Sequence, residues 1–289
     1  MPLGERHTAA MVRIAQAWRP DLLVHTGWEY AGPLAAARLG IPAVLHGWGL
    51  AAPAELDAPI ARALEPLHRK WGLDAGVPEP WREIDVCPPS LQVRDHDRPL
   101  VKFGWAPYNG SGVVPAWLLG APERRRICVT LGNVPIMGDH ATVLASVLAG
   151  VRGLDAEVVI AGSARLAYDG LPEGVRVLSG LPLSAILPGC DLVVHHGGAG
   201  SAFAALALGL PSLALPQMCV QYQHADRIAE VGAGLCLHPE QVTADSLAAA
   251  LRTLTENTDY RDTARRLRQE LAEQPPAGEA MAQLEAAAR

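Results

Sequence analysis

Residues 190–209 read CDLVVHHGGAGSAFAALALG, and this stretch decides the fold. A hydrophobic strand, Asp191–His195, runs directly into a glycine-rich turn, and an Ala/Leu-rich helix follows at once. Glycines permit a tight turn and a close approach of the backbone, while the N–H groups and the positive dipole end at a helix start attract anions. The stretch therefore predicts a strand–turn–helix unit of an α/β protein, with an anion site at the turn that suits a pyrophosphate.

The rest of the chain alternates between apolar runs led by β-branched residues and Ala/Leu-rich helical stretches. This alternation predicts parallel sheets covered by helices. Residues 21–45 and 191–215 resemble each other, which suggests two related Rossmann-like halves, although a match between two generic α/β units is an alternative. The further strand candidates are Asp21–His25, Ala43–His46, Ile127–Leu131, Glu157–Ala161, Val175–Leu178 and Ser212–Leu215, with weaker ones near Asp85 and Val101.

The composition is that of a folded protein without a nucleic-acid surface. Of 289 residues, 49% are hydrophobic and 19% charged, which provides enough apolar material for the cores of two domains. The net charge is -6 and the Lys and Arg residues are scattered, so we expect no nucleic acid as a partner. The five cysteines show no CxxC spacing, so we expect no metal, no disulfide framework and a cytoplasmic location. No run approaches about 18 uncharged apolar residues, so we expect no membrane span.

A Gly/Pro-rich segment, Pro107–Arg126, has the composition of an inter-domain linker. We place the boundary near Gly120, which gives domains at residues 1–119 and 120–289. The first half offers fewer strands than an open sheet of this kind usually has, so we expect the first domain to be incomplete. The stretch from Asp259 to just before Pro275 is expected to form an amphipathic C-terminal helix on the surface, and this helix is expected to pack back toward the first domain.

The two adjacent histidines of the turn have different expected roles. Because neighbouring side chains point in different directions, we interpret His196 as a donor to a phosphate oxygen and His195 as part of the packing. A glycine turn with two core histidines is the alternative. The turn lacks the GxxxxGK(S/T) and GxGxxG fingerprints of P-loop and dinucleotide-binding proteins, so a sugar nucleotide is the better-fitting ligand.

Several segments together point to one family. The turn HHGGAGS is followed by LGLPSLALPQ, by Gln221 and by a helix that begins DYRDTARRL. Earlier segments of the same kind are WRPDLLVH at 18–25, YAGPLAAARLGIPAV at 30–44, HGWGL at 46–50, CPPSLQ at 87–92 and APYNGSGVVPAWL at 106–118. Along nearly its whole length the chain resembles the bacterial antibiotic glycosyltransferases that decorate macrolides and aromatic polyketides.

The resemblance implies the GT-B architecture, with an acceptor-side Rossmann-like domain at 1–119 and a nucleotide-sugar-binding one at 120–289. It implies transfer, with inversion, of a (deoxy)sugar from a dTDP- or UDP-sugar to a hydroxyl group of a hydrophobic natural product, without a metal or another cofactor. An activator protein or a second copy of the chain is an additional expected partner. The matching donor-binding positions are Gly132 and Asn133, Leu181 beside the nucleotide base, His196, Gly198, Ala199, Gly200 and Ser201 at the phosphates, and Gln217 and Gln221 at the sugar.

Three departures from the family pattern concern the chemistry. Val220 stands where an aspartate commonly precedes the glutamine, which favours a deoxysugar with an apolar edge or a weakened site. Thr26 stands where the family often has an acidic residue that orients the catalytic base. Glu29 is close in sequence but does not occupy the equivalent position. The base itself belongs to an N-terminal segment of the family without a match here, so no catalytic residue is assigned. His25 and His46 are candidate replacements, with a structural role as the alternative.

Two other functions stay open at this point. One is a non-catalytic nucleotide-sugar-binding or auxiliary protein, and the other is a sugar-nucleotide epimerase of the same fold. Asp95-His96-Asp97 matches the DxD metal motif of the other major glycosyltransferase fold, but it lies in a charged loop, so no metal is predicted there. His224 follows the expected sugar-binding loop, where ligand contact competes with a surface or capping role.

Overall fold

The computed structural model describes residues 3–74, 76–77, 79–93, 99–132, 140–152, 154–162, 171–218 and 220–288. The chain divides into two compact units, the first formed by residues 1–87, 92–104 and 273–289, and the second by residues 88–91 and 105–272. Each unit contains a parallel sheet with helices, so the predicted α/β class is confirmed.

The first unit is built on a four-stranded parallel sheet with the order β1-β2-β3-β4. Its strands are β1 (Leu23–Thr26), β2 (Ala43–His46), β3 (Arg82–Asp85) and β4 (Leu100–Lys102). The helices between and before these strands are α1 (Leu3–Trp18), α2 (Ala31–Leu39) and α3 (Asp57–Lys70), and a further helix is added by the C-terminal residues. The apolar side chains of Leu34, Val44, Ile84 and Val101 are buried and form part of its core. Both the strong and the weak strand predictions for this half are confirmed.

The second unit is built on a six-stranded parallel sheet with the order β10-β9-β8-β5-β6-β7. Its strands are β5 (Arg125–Thr130), β6 (Ala156–Gly162), β7 (Val175–Ser179), β8 (Leu192–His195), β9 (Ser212–Ala214) and β10 (Gly234–Cys236). Its helices are α4 (Ala116–Leu119), α5 (His140–Val151), α6 (Leu183–Ile186), α7 (Ala199–Ala207), α8 (Val220–Glu230), α9 (Ala244–Glu256) and α10 (Asp259–Ala272). One core lies between the sheet and helices α5 and α9, and contains Ile127, Val147, Val194 and Leu251.

The strand order of the second unit creates a switch point between β5 and β8. From β5 the chain adds β6 and β7 on one side, and then returns to add β8, β9 and β10 on the other. In open α/β sheets, ligands bind outside the carboxyl ends of the strands at such a point. The predicted glycine turn follows β8 and therefore lies at this position.

The predicted boundary at residue 120 is wrong, because the segment before it packs into the second unit. Trp117 and Leu118 lie in a hydrophobic cluster with Ile186 and Leu187. The segment 88–91 also belongs to the second unit, where Arg227 donates hydrogen bonds to two of its carbonyl oxygens at 3.0 and 3.1 Å. Linker-like composition did not reveal this packing.

The C-terminal residues return to the first unit, but through a helix that follows the one expected to do so. Helix α11 (Ala277–Ala287) contacts β4, and the N–H of Gly104 donates to the carbonyl oxygen of Pro275 at 2.9 Å. The helix predicted from Asp259 is α10, which remains in the second unit and buries Leu267 and Leu271.

Within the described residues, none of the helices is both long and apolar enough to cross a bilayer.

Candidate functional site

The candidate site lies where β5 and β8 end. Strand β5 ends at Thr130, two residues before Gly132, and β8 ends at His195, where the turn 196–198 begins. Thr130 and His195 are paired in the register of the two strands. The turns after both strands therefore emerge side by side at the switch point.

The ring of His196 is held between these two turns. A Cβ atom added at Gly132 would lie 2.8 Å from Cε1 and 3.0 Å from Nε2 of the ring, and one added at Gly198 would lie closer still to Nε2. Gly132 also has a φ of 82°, in the left-handed region that favours glycine. The absence of side chains at both positions gives the partly exposed ring its space.

The first turn of α7 places backbone N–H groups next to this ring. Gly198 is the N-cap residue, and no side chain in the described part of the chain caps the helix. The N–H of Ser201 donates to the carbonyl oxygen of Gly198 at 3.1 Å, whereas the N–H groups of Ala199 and Gly200 precede the first bonds of the helix. Together with the positive end of the helix dipole, these two N–H groups can bind a phosphate.

Two buried histidines lie behind the turn. The N–H of Gly197 donates to Nδ1 of His195 at 2.9 Å, so the neutral ring carries its proton on Nε2. Burial, reinforced by His196 and His224, lowers the pKa of His195 from 6.5 to about 3. Nδ1 of His224 donates to the carbonyl oxygen of Val220 at 2.7 Å, and burial lowers its pKa despite this bond. Both rings are neutral near pH 7, and the surface role considered for His224 is wrong because its side chain is buried.

Gln217 and Gln221 lie beside the same turn. A Cβ atom added at Gly197 would lie 2.6 Å from the carbonyl oxygen of Gln221, and the φ of Gly197 is 78°. Oε1 of Gln221 accepts a hydrogen bond from the N–H of Gln217 at 2.9 Å. Oε1 and Nε2 of Gln217 are buried without a hydrogen-bond partner among the described residues. Since an unsatisfied buried amide costs about 1–3 kcal/mol, the Gln217 carboxamide is well suited to a polar ligand.

Gln217 lines a small cavity of ≈ 110 Å³. The other lining residues are Thr142, Val143, Ser146, Leu215, Pro216, Pro239 and Val242. This lining is largely apolar, so the Gln217 carboxamide is one of its few groups that can orient a polar ligand.

Comparison with known proteins identifies the family. Family models described as Erythromycin biosynthesis protein CIII-like, N-terminal domain and C-terminal domain, match residues 3–132 and 145–287. An L-demethylnoviosyl transferase from Streptomyces niveus is 39% identical, over 94% of this chain and 72% of its own length. A tylactone mycaminosyltransferase from Streptomyces fradiae is 36% identical, over 93% of this chain and 65% of its own length. The chain belongs to this family of antibiotic glycosyltransferases.

Solved structures of similar glycosyltransferases share the fold. The spinosyn rhamnosyltransferase SpnG complexed with thymidine diphosphate has a TM-score of 0.86 and 31% identity, over 98% of this chain and 80% of that one. The glycosyltransferase SnogD from Streptomyces nogalater has a TM-score of 0.78 and 35% identity, over 99% of this chain and 79% of that one. The predicted GT-B fold and the predicted enzyme class are therefore confirmed.

The remaining predicted donor residues of this glycosyltransferase are less closely grouped. Leu181 follows β7, two strands beyond β5 at the same edge of the sheet, and packs in the cluster that contains Trp117. Asn133 and the 95–97 motif lie outside the described residues. The structure brings together Gly132, His196, Gly198, Ala199, Gly200 and Ser201 around one turn, with Gln217 and Gln221 beside it.

Gly197 belongs to the glycine turn predicted to bind the donor, although it was not named among the donor-binding positions. Its positive φ and the close backbone of Gln221 both require a residue without a side chain. The run of glycines in the sequence is the local signal for such a requirement, but it does not show which glycine meets which neighbour.

The candidate bases in the first unit are oriented by backbone carbonyl groups. Nδ1 of His25 donates to the carbonyl oxygen of Thr26 at 3.2 Å, and burial lowers the pKa of His25, against opposing effects of that bond and Glu29. Nδ1 of His46 donates to the carbonyl oxygen of the next residue at 2.6 Å. The carboxylate of Glu29 accepts hydrogen bonds from two N–H groups at the start of α2, at 2.7 and 2.8 Å. Glu29 is therefore a helix cap. In His25 the bond from Nδ1 leaves Nε2 as the basic atom of the neutral ring, and this atom is buried without a hydrogen-bond partner among the described residues.

Proposed function

We propose that this glycosyltransferase binds a dTDP- or UDP-activated sugar at the His196 turn. We further propose that it transfers the sugar to a hydroxyl group of a hydrophobic natural product, with inversion at the anomeric carbon. A tylactone mycaminosyltransferase and a rhamnosyltransferase complexed with thymidine diphosphate are among its relatives, which favours a thymidine diphosphate donor and a polyketide-like acceptor.

One observation carries the donor assignment. The partly exposed ring of His196 lies between Gly132 and Gly198, at the entrance of α7, where two N–H groups are left over from the helix. These donors converge at the switch point of a parallel sheet, where ligands of such sheets bind. An anionic diphosphate suits N–H donors at the positive end of a helix dipole.

The same arrangement fits the chemistry of transfer. The acceptor oxygen would attack the anomeric carbon while the bond from this carbon to the diphosphate oxygen breaks and the diphosphate takes the electron pair. The negative charge that develops there would be stabilised by His196 and by the N–H groups of Ala199 and Gly200. We propose that these groups replace a metal ion, and that the carboxamide of Gln217 binds a hydroxyl group of the sugar. The hydroxyl proton passes to a base that we leave unassigned.

Val220 supports a deoxysugar as the donor. It begins α8 directly before Gln221, and its side chain has no acceptor for a sugar hydroxyl. A hydroxyl group buried against it would lose its hydrogen bonds with water without replacement. We propose that kcat/KM is higher for 3- or 4-deoxy donors than for the corresponding glucose donor, and the opposite order would contradict the assignment.

Calorimetric titration of dTDP and UDP into the full chain, with EDTA present, tests the donor site. We expect saturable binding that His196→Ala weakens about tenfold or more, since a hydrogen bond to a charged group contributes about 1.5–3 kcal/mol. The control is His7→Ala, which removes an exposed histidine of α1. Equal affinities of the His196→Ala variant and the control would refute the assignment. Mass analysis of products then separates transfer, which needs the acceptor, from epimerisation of the donor alone.

A further inference from the structure

A second group of reactive side chains lies where α8 approaches β10. Asp226 lies on α8, Cys236 is the last residue of β10, and His238 follows two residues later. Their possible ligand atoms, a carboxylate oxygen, Sγ and an imidazole nitrogen, all lie within 4.8 Å of one another. The sequence alone did not indicate this cluster, because its members are separated along the chain and belong to different elements.

We propose that Asp226, Cys236 and His238 form a binding site for a soft divalent metal ion such as Zn²⁺. Zinc bonds of about 2.0–2.3 Å place neighbouring ligand atoms of a tetrahedral site about 3.3–3.8 Å apart, so small side-chain movements suffice. The thiolate and imidazole ligands favour zinc and similar metals over Mg²⁺ and Ca²⁺, which prefer oxygen. Three protein ligands leave the fourth position for water.

The surroundings hold these three side chains in place. Nε2 of His238 bonds to Oδ1 of Asp226 at 2.7 Å, so the two groups already face each other. Tyr222 lies one turn before Asp226 on α8, and its ring packs on the imidazole with centroids 5.3 Å apart. The side chains of Asp226 and His238 are 53% and 34% exposed, which gives an ion direct access from solvent.

Binding exchanges protons for the metal. The Cys236 thiol releases its proton to the solvent and forms a metal–sulfur bond. Nε2 of His238, which donates its proton to Asp226 in the metal-free site, gives up that proton and binds the ion while Nδ1 is protonated. The charges of one carboxylate and one thiolate then balance the divalent ion. The ion would link β10, an edge strand, to α8, and it takes no part in the proposed sugar transfer.

Titration of Co²⁺ into the EDTA-treated and desalted full chain, with a phosphine reductant, tests this site. We expect one equivalent to produce the d–d bands of tetrahedral cobalt and a thiolate-to-cobalt charge-transfer band, and Zn²⁺ to abolish both. Cys236→Ser should remove the charge-transfer band, and Asp226→Asn and His238→Gln should each weaken cobalt binding about tenfold or more. Glu230→Gln, one turn further along α8, is the matched control and should keep both spectrum and affinity.

Two results would overturn the site. One is the absence of the charge-transfer band in a wild-type chain that circular dichroism shows to be folded. The other is a band that persists in Cys236→Ser, which would place the sulfur ligand at another cysteine. If Cys236→Ser does not fold, the exposed positions decide, because unchanged cobalt affinity in both Asp226→Asn and His238→Gln contradicts coordination by these residues.

Discussion

The His196 ring occupies a space that exists because positions 132 and 198 carry no side chain. Gly132→Ala would introduce a Cβ atom 2.8 Å from Cε1 of the ring, at a residue whose φ is 82°. We expect a stability loss of about 1–2 kcal/mol from the left-handed backbone and, because the ring must move, at least about a tenfold loss of dTDP affinity. Thermal unfolding and calorimetric titration measure the two effects.

The control for this change is Gly40→Ala in the first unit. Gly40 has a φ of 69°, but within the part of the chain that the structure describes no atom lies within 4 Å of an added Cβ atom. This variant should lose similar stability and keep its dTDP affinity. If Gly132→Ala also keeps its affinity, the ring does not need the space that Gly132 leaves.

The buried histidines make the stability of the second unit dependent on pH. In the folded chain the pKa of His195 is about 3 and that of His224 is lowered, whereas unfolded histidine has the ordinary value of 6.5. Below pH 6.5 the unfolded chain therefore binds protons that the folded chain does not, and the free energy of unfolding falls toward acid. The slope is up to about 1.4 kcal/mol per pH unit for each histidine.

Urea unfolding between pH 7.5 and pH 5 measures this slope, and His224→Asn is the informative variant. Asparagine keeps an N–H donor for the carbonyl oxygen of Val220 but does not titrate. We expect a shallower dependence on pH in this variant than in the wild-type chain. Identical slopes would mean that His224 is not held neutral.

Helix α7 provides the site with a dipole and with two N–H groups that have no hydrogen-bond partner among the described residues. A negative charge in its first turn should therefore stabilise the helix and repel a phosphate. Gly200 is exposed, and no atom of the described residues lies within 4 Å of an added Cβ atom. Gly200→Asp should stabilise the helix by about 0.5–1 kcal/mol, through better helix propensity and the dipole. It should also weaken dTDP binding about tenfold or more, because like charges about 5 Å apart repel by about 3 kcal/mol near a protein surface.

Gly200→Asn separates charge from shape in this experiment. Its side chain has nearly the same size but no charge, so it should leave most of the affinity intact. Raising the salt concentration should reduce the difference between the two variants, because exposed charges are screened. An equal loss in both variants, independent of salt, would indicate a steric effect instead of a phosphate near the helix start.

Helices and strands could be predicted where the residues that specify them are neighbours in the sequence. The strand Ala43–His46 and the strand–turn–helix at 190–209 follow from short apolar runs and glycines, and the structure contains both. Strand β10 was missed because three residues, one of them glycine, are too short to show a period. The roles of Gly132 and Gly198 around His196 depend on contacts between two turns, which are distant in the sequence.

At the scale of the whole chain, the boundary between the two units could not be predicted from the amino-acid composition of the segment before residue 120. The segment 105–119 is rich in glycine and proline, yet Trp117 and Leu118 pack in the second unit. The chain also leaves the first unit for residues 88–91 and returns to it at residue 273. These crossings are fixed by packing between residues far apart in sequence, so a composition-based boundary placed them in the wrong unit.

The return of the C-terminus gives a test of whether donor binding resides in the second unit. Leu284 on α11 is 4% exposed and packs in the first unit, whereas Met281 on the same helix is 54% exposed. Leu284→Ala should lower the stability of the first unit by about 2–4 kcal/mol through the cavity it leaves, and Met281→Ala should have little effect. Because the described donor residues belong to the second unit, both variants should bind dTDP as the wild-type chain does. Calorimetric unfolding and titration compare them, and weaker dTDP binding by folded Leu284→Ala would show that the first unit contributes to the donor site.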